Sequence, residues 1–282
     1  MTARDPRARC APRMASALIV AIATGSGCAL VFPVHLREEP AEAGVGGDAS
    51  EAAAPSEGGS DVAEGAFCKA PDAKTILCDD FERSELAGPP WEPPENAPPA
   101  TLTLEDGAGR PGRHLRASIP YLVDGGGLSA ALPKRWGRSV DIAYQFKLKV
   151  PSRPQHGSVQ VAGLTLATSA KDYANVALIF TQDQVSLIEQ TFPNGVSAVF
   201  IEHPLDKFIV FDRWQLVEIH LTLGSSPQLT IAVEGKKAYD GNADKAFLPG
   251  TLTFLGGLSY AEPPSGPFTV LVDDVLITST LQ

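Results

Sequence analysis

Beyond residue 67 apolar and polar side chains alternate with a period of two, run after run. Ile142, Tyr144, Phe146, Leu148 and Val150 alternate with Ala143, Gln145, Lys147 and Lys149, the signature of a strand with one wet face. Val217, Ile219, Leu221 and Leu223 alternate with Glu218, His220 and Thr222. Leu229, Ile231 and Val233 alternate with Gln228, Thr230 and Glu234, and Gly235 then turns the chain into residues 236–239. Similar runs cover 75–82, 114–119, 128–132, 159–167, 174–181, 185–191, 196–203, 251–258 and 268–278. Turn signals separate them, among them Asp124-Gly-Gly-Gly127, Pro193-Asn-Gly195 and Gly224-Ser-Ser-Pro227. The one helical feature expected after residue 30 is a brief turn around Leu205–Phe208. About twelve short strands with polar outer faces predict an all-β fold, a two-sheet antiparallel sandwich spanning 67–282.

The N-terminal part obeys a different pattern. Arg4, Arg7, Arg9 and Arg13 precede a short apolar run, Met14 to Thr24, which ends in Gly25-Ser-Gly-Cys28. A basic start, a short apolar middle and a small-residue end predict a secretory signal over 1–28. The run is shorter than the ~20 residues that a transmembrane helix needs. Residues 29–66 follow, and from residue 37 they are rich in Ala, Gly, Glu and Ser with almost no large apolar side chain. Such a segment buries too little to offset its ordering entropy, so a disordered tether is expected. The end at Gly25-Ser26-Gly27-Cys28 resembles the lipobox of bacterial lipoproteins, although Gly25 stands where an aliphatic residue is usual. The resemblance implies lipidation of Cys28 and anchoring in a lipid bilayer; a plainly secreted protein and a retained N-terminal anchor are the alternatives.

Charge excludes one class of partner. The chain carries a net −10, and residues 1–28, with four Arg and one Asp, account for +3, which leaves −13 on the remainder. No basic face for nucleic acid is expected. Four cysteines are present. Cys68 and Cys78 stand ten residues apart, a spacing that fits no zinc pattern. In an exported chain a disulfide between them is expected, against the alternative of two buried thiols.

A Phe-Glu near the start, Trp214-x-x-Val217-x-Ile219, the Leu229-x-Ile-x-Val233-x-Gly235 hairpin and Val272-Asp-Asp-Val275 come in that order. Together they resemble the concanavalin A-like lectin and glucanase jelly rolls, laminin-G-like domains included, and the related carbohydrate-binding modules. The resemblance spans about residues 75–280. It implies pairing of the first and last strands and a structural Ca²⁺ held by Glu82 and Asp273 or Asp274, with Asp80 nearby. The alternative is that these carboxylates make turns or pair with Arg83 and other bases. Along a regular strand Asp273 and Asp274 point to opposite faces. They are then no acid–base couple, and at least one must be buried and partnered.

Chemistry elsewhere is sparse. Hydrolases of this fold carry Glu-x-Asp-x-x-Glu on one strand, and the chain has no such run; Glu189, Glu202, Glu218 and Glu234 each stand alone on their strands. Glu218-Ile219-His220 matches half of the Gln-Ile-His strand of alginate-lyase relatives, and solvated outer-face positions account for it equally well. Trp214 is expected in the core, and Trp91, within Pro-Pro-Trp-Glu-Pro-Pro, in an exposed extended segment. The leading expectation is an exported, lipid-anchored component of a bacterial cell envelope whose sandwich binds a glycan or another surface ligand without catalysis. A divergent glycan hydrolase or lyase, and a structural or adhesion component, are the alternatives.

Overall fold

The computed structural model describes residues 67–68, 73–124, 127–169, 171–244 and 247–281. The expected signal, Cys28 and the tether lie outside them. The strands are β1 Thr75–Asp79, β2 Glu95–Asn96, β3 Thr101–Asp106, β4 Arg113–Ile119, β5 Leu128–Lys149, β6 Ser158–Ala167 and β7 Tyr173–Thr181, followed by β8 Val185–Phe192, β9 Val199–Pro204, β10 Gln215–Thr222, β11 Gln228–Val233, β12 Lys236–Asn242, β13 Thr251–Ala261 and β14 Phe268–Leu281. Every pairing is antiparallel. Phe208 N and Ile209 N donate to Leu205 O, making the expected helical turn.

Two layers share one strand. In the first, β12, β11, β10, β5 and β14 lie side by side, and the far edge of β14 takes β4 along its first half and β1 along its second; β3 flanks β4. In the second, β5, β13, β6, β7, β8 and β9 follow one another, with β2 on the other edge of β5. The sequence predicts separate strands at 128–132 and 142–150; instead β5 runs for 22 residues through both layers. Its first half pairs with β13 and its second with β10 and β14. Trp136-Gly-Arg-Ser139, which breaks the apolar alternation, marks the passage between layers, not a loop.

The layers close on a single apolar core. Tyr144 of the first layer meets Phe254 of the second edge-on, ring centroids 5.7 Å apart, with Phe146 on its other side at 4.8 Å. Phe180 of β7 meets Phe268 of β14 at 5.5 Å. As the sequence predicts, β1 pairs with β14, Thr75 opposite Thr278 and Asp79 opposite Val275. Cys68 and Cys78 are disulfide-bonded, Cα to Cα 5.5 Å, which ties the start of the folded part to β1. A loop this short contributes about 3 kcal/mol through the unfolded chain.

Candidate functional site

Side chains alternate across a strand, so the core residues of β6, β7 and β8 assign their neighbours to the outer face of the second layer. Val159, Leu164, Val176, Leu178, Val185 and Leu187 point inward. Gln160, Thr165, Asn175, Ser186 and Gln190 therefore point outward. The register sets Thr253, Thr165, Asn175 and Gln190 side by side across four strands. Thr165 Oγ1 donates to Asn175 Oδ1 at 3.5 Å, and Asn175 Nδ2 donates to Gln160 Oε1 at 3.4 Å. Gln190 Nε2 donates to Ser197 Oγ at 3.5 Å. One step along β7 and β8 the row is flanked by an aromatic pair, Tyr173 stacked on Phe192 with centroids 4.4 Å apart. On the other side of the row Ala177, Ile179 and Ile188 form a small apolar cluster against Phe200. Ser186 and Gln190 are buried, while Gln160, Thr165, Asn175 and Thr253 are half-buried; amides and hydroxyls both donate and accept, so these four can hydrogen-bond a polyhydroxylated ligand. Its only outward carboxylate among β6–β9 and β13 is Glu202, which accepts from Gln184 Nε2 at 2.5 Å.

The closing strand departs from its expected geometry. Asp274 has φ +46°, and the register of β14 against β5 slips between Asp273 and Leu276. This bulge adds a residue to one strand and re-aims its side chains. Both carboxylates consequently reach one guanidinium: Arg110 lies 2.8 Å from Asp273 and 3.2 Å from Asp274. Lys147 adds a second cation, 2.8 Å from Asp274. The expectation that Asp273 and Asp274 face opposite ways is thus corrected. Burial nonetheless pushes the Asp273 carboxyl up to about 7, against the pull of Arg110.

Glu82 and Asp80 lie apart from that cluster in their contacts. Glu82 Oε1 accepts from Arg113 N at 3.1 Å, and a Cβ on Gly112 would stand 2.1 Å from that oxygen, so the approach needs a glycine. Asp80 Oδ1 accepts from Glu82 N at 3.4 Å. Asp273 and Asp274 meet cations while Asp80 and Glu82 meet backbone N–H groups, and among the described residues no three His, Cys, Asp or Glu side chains gather as a metal-holding group.

Both tryptophans differ from expectation. Trp91 is buried, its Nε1 donating to Asp79 Oδ2 at 2.5 Å beside the Arg83–Asp79 ion pair. Trp214 is half-buried at the rim of the first layer. Its Nε1 donates to Ala108 O at 3.1 Å, Arg110 lies over its ring at 5.6 Å, and His114 meets it edge-on.

Glu189 is not alone. It is fully buried, its Oε1 2.6 Å from His203 Nε2, and its Oε2 accepts from Asp244 N at 2.8 Å. His203 in turn lies against Tyr239, ring centroids 3.8 Å apart. Both residues point into the core, where they tie β8 and β9 to β12 across the layers. Leu187 pairs with His203, which makes Glu189 and His203 diagonal neighbours. Only a known register could have revealed this, because 14 residues separate them in sequence.

His114 lines a cleft of about 560 Å³ on the outer face of the first layer, together with Glu105, Arg116, Lys149 and Asp212. It is 1% exposed, and its Nδ1 has no hydrogen-bond partner. Desolvation lowers its pKa. The unfolded chain therefore takes up a proton near pH 6.5 that the folded chain refuses, and stability falls as pH drops through that range. The urea midpoint should fall more between pH 8 and pH 5 for the wild type than for His114→Phe. Parallel curves would show that His114 is not the group responsible.

No protein-family model matches the chain, and no curated protein matches it. Solved structures do. An endo-β-1,4-glucuronan lyase from the fungus Trichoderma reesei aligns with a TM-score of 0.57 at 14% identity, over 72% of this chain and 95% of that one. The likeness at that identity concerns the fold alone. The cellulose-induced protein Cip1 aligns at 0.49 and 14% identity, over 73% and 98% of the two chains. The alginate lyase Aly36B aligns at 0.41 and 12%, over 60% and 82%.

Proposed function

We infer that this chain is a glycan-binding β-sandwich that acts without catalysis, and that the ligand lies on the outer face of the second layer. The observation that carries the reading is the half-buried row Thr253–Thr165–Asn175, with Gln160 beside it and the buried Gln190 backing it. Hydroxyls and amides in register on β13, β6 and β7 suit the hydroxyls of a sugar chain, and the half-buried Tyr173, stacked over the buried Phe192, offers an aromatic surface one step along the strands. General acid–base chemistry needs a proton donor and acceptor converging on one bond. Among the described residues of β6–β9 and β13, Glu202 faces outward without a second carboxylate or a histidine beside it. A glycan ligand is in keeping with the substrate of the fungal lyase that shares the fold. The disulfide is in keeping with an oxidising compartment outside the cytoplasm.

A glycan array probed with the protein, with and without Ca²⁺, should show retention on at least one glycan class. Asn175→Ala and Gln160→Ala should each weaken it about tenfold, the worth of one lost hydrogen bond to the ligand. Retention unchanged in both variants would move the site elsewhere. Release of cleaved or unsaturated products from a bound glycan would make the protein an enzyme and overturn the reading.

A further inference from the structure

We propose that the ligand of this outer face is an uncharged glycan, and that chains bearing carboxylates or sulfates are disfavoured there. The inference rests on the glycan-binding reading and sharpens it. Strands β13, β6, β7, β8 and β9 contain no lysine or arginine along their whole length. Their charged side chains are Glu189, Glu202 and His203, and Glu189 and His203 pair with each other in the core. Glu202 is therefore the one charge these strands present outward, and it is negative.

Two of the cations at the margins are paired, while Arg138, beside Thr251 on β5, is exposed to solvent. Arg135, beside Thr253 on β5, lies 2.6 Å from Glu92. Arg153 lies 2.7 Å from Asp206. Lys171 is exposed in the turn before β7, where water and salt screen it. A sugar carboxylate pressed onto Asn175 and Gln160 would lose hydration and gain no counter-ion, a cost that neutral hydrogen bonds do not offset. The −10 charge of the chain opposes its approach as well. A sugar hydroxyl meets none of these penalties: it donates to Glu202 or an amide oxygen and accepts from an amide N–H. The fungal lyase of the same fold has a uronan as its substrate, so the fold does not dictate this preference; the residues on the face do.

The test uses an array of uncharged glycans printed beside uronate-bearing and sulfated ones, with each bound uronan also offered after reduction of its carboxyls to primary alcohols. Uncharged chains should be retained with little dependence on salt, and each uronan should bind at least about tenfold more weakly than its reduced form. Gln160→Lys, checked for an unchanged melting temperature, should raise uronan retention about tenfold at low salt and lose that gain at high salt. Equal or tighter binding of uronans by the wild type would overturn this inference and leave the glycan-binding reading intact. Retention of no glycan at all would overturn both.

Discussion

Arg110→Ala should destabilise the protein by about 1–3 kcal/mol at pH 7, the cost of leaving a buried polar group unsatisfied, since an Asp273 carboxyl already at about 7 takes up a proton when its cation goes. Asp273 and Asp274 are 1% and 5% exposed, so neither carboxylate can turn to water when the guanidinium is gone. Lys147 still serves Asp274, which leaves Asp273 as the larger loss. The Gly107–Gly112 loop keeps its other tie, the Ala108 carbonyl that accepts from both Trp214 Nε1 and Lys149 Nζ at 3.1 Å. Urea unfolding measures the effect. Adding Asp273→Asn to Arg110→Ala should recover a large part of the loss, because a neutral amide tolerates burial without a cation. A loss below about 1 kcal/mol would class the cluster with ordinary surface ion pairs.

Tyr144→Ala should cost a further large amount, about 3–5 kcal/mol as for other buried aromatic truncations. The ring is fully buried between Phe146 and Phe254, and its hydroxyl donates to Leu255 O of the opposite layer at 3.2 Å. Tyr144→Phe keeps the ring and removes only that bond, and should cost about 1 kcal/mol. The difference between the two variants measures packing across the layers separately from the hydrogen bond. Equal costs would mean that the hydroxyl, not the ring, holds β5 to β13.

Strand positions were legible because period-two alternation is a local property: β4, β6, β7, β8, β10, β11, β13 and β14 fall within a few residues of their expected places. Thr101–Asp106 escaped notice, since Leu102 and Leu104 give too short a run to stand out. The long β5 was hidden by Pro133 and Gly137, which read as breakers and are accommodated inside a strand. The candidate site was harder to see. Asn175 and Gln190 are unremarkable in sequence and gain meaning only when register sets them opposite each other. The Asp273–Asp274 bulge has no sequence signal that distinguishes it from regular alternation, because a non-glycine residue holds the positive φ. Trp91 reads as exposed from its prolines, and only the partner at Asp79 explains its burial.

The continuity of β5 has a consequence for how the molecule comes apart. One strand is an interior member of both layers, hydrogen-bonded to β13 over one half and to β10 and β14 over the other. Peeling either layer away would strip partners from a strand whose remaining half anchors the other. The layers therefore behave as one cooperative unit, with a single unfolding transition and slow amide exchange that continues across Gly137. The outer face of the second layer inherits the stability of the ion-pair cluster on the first.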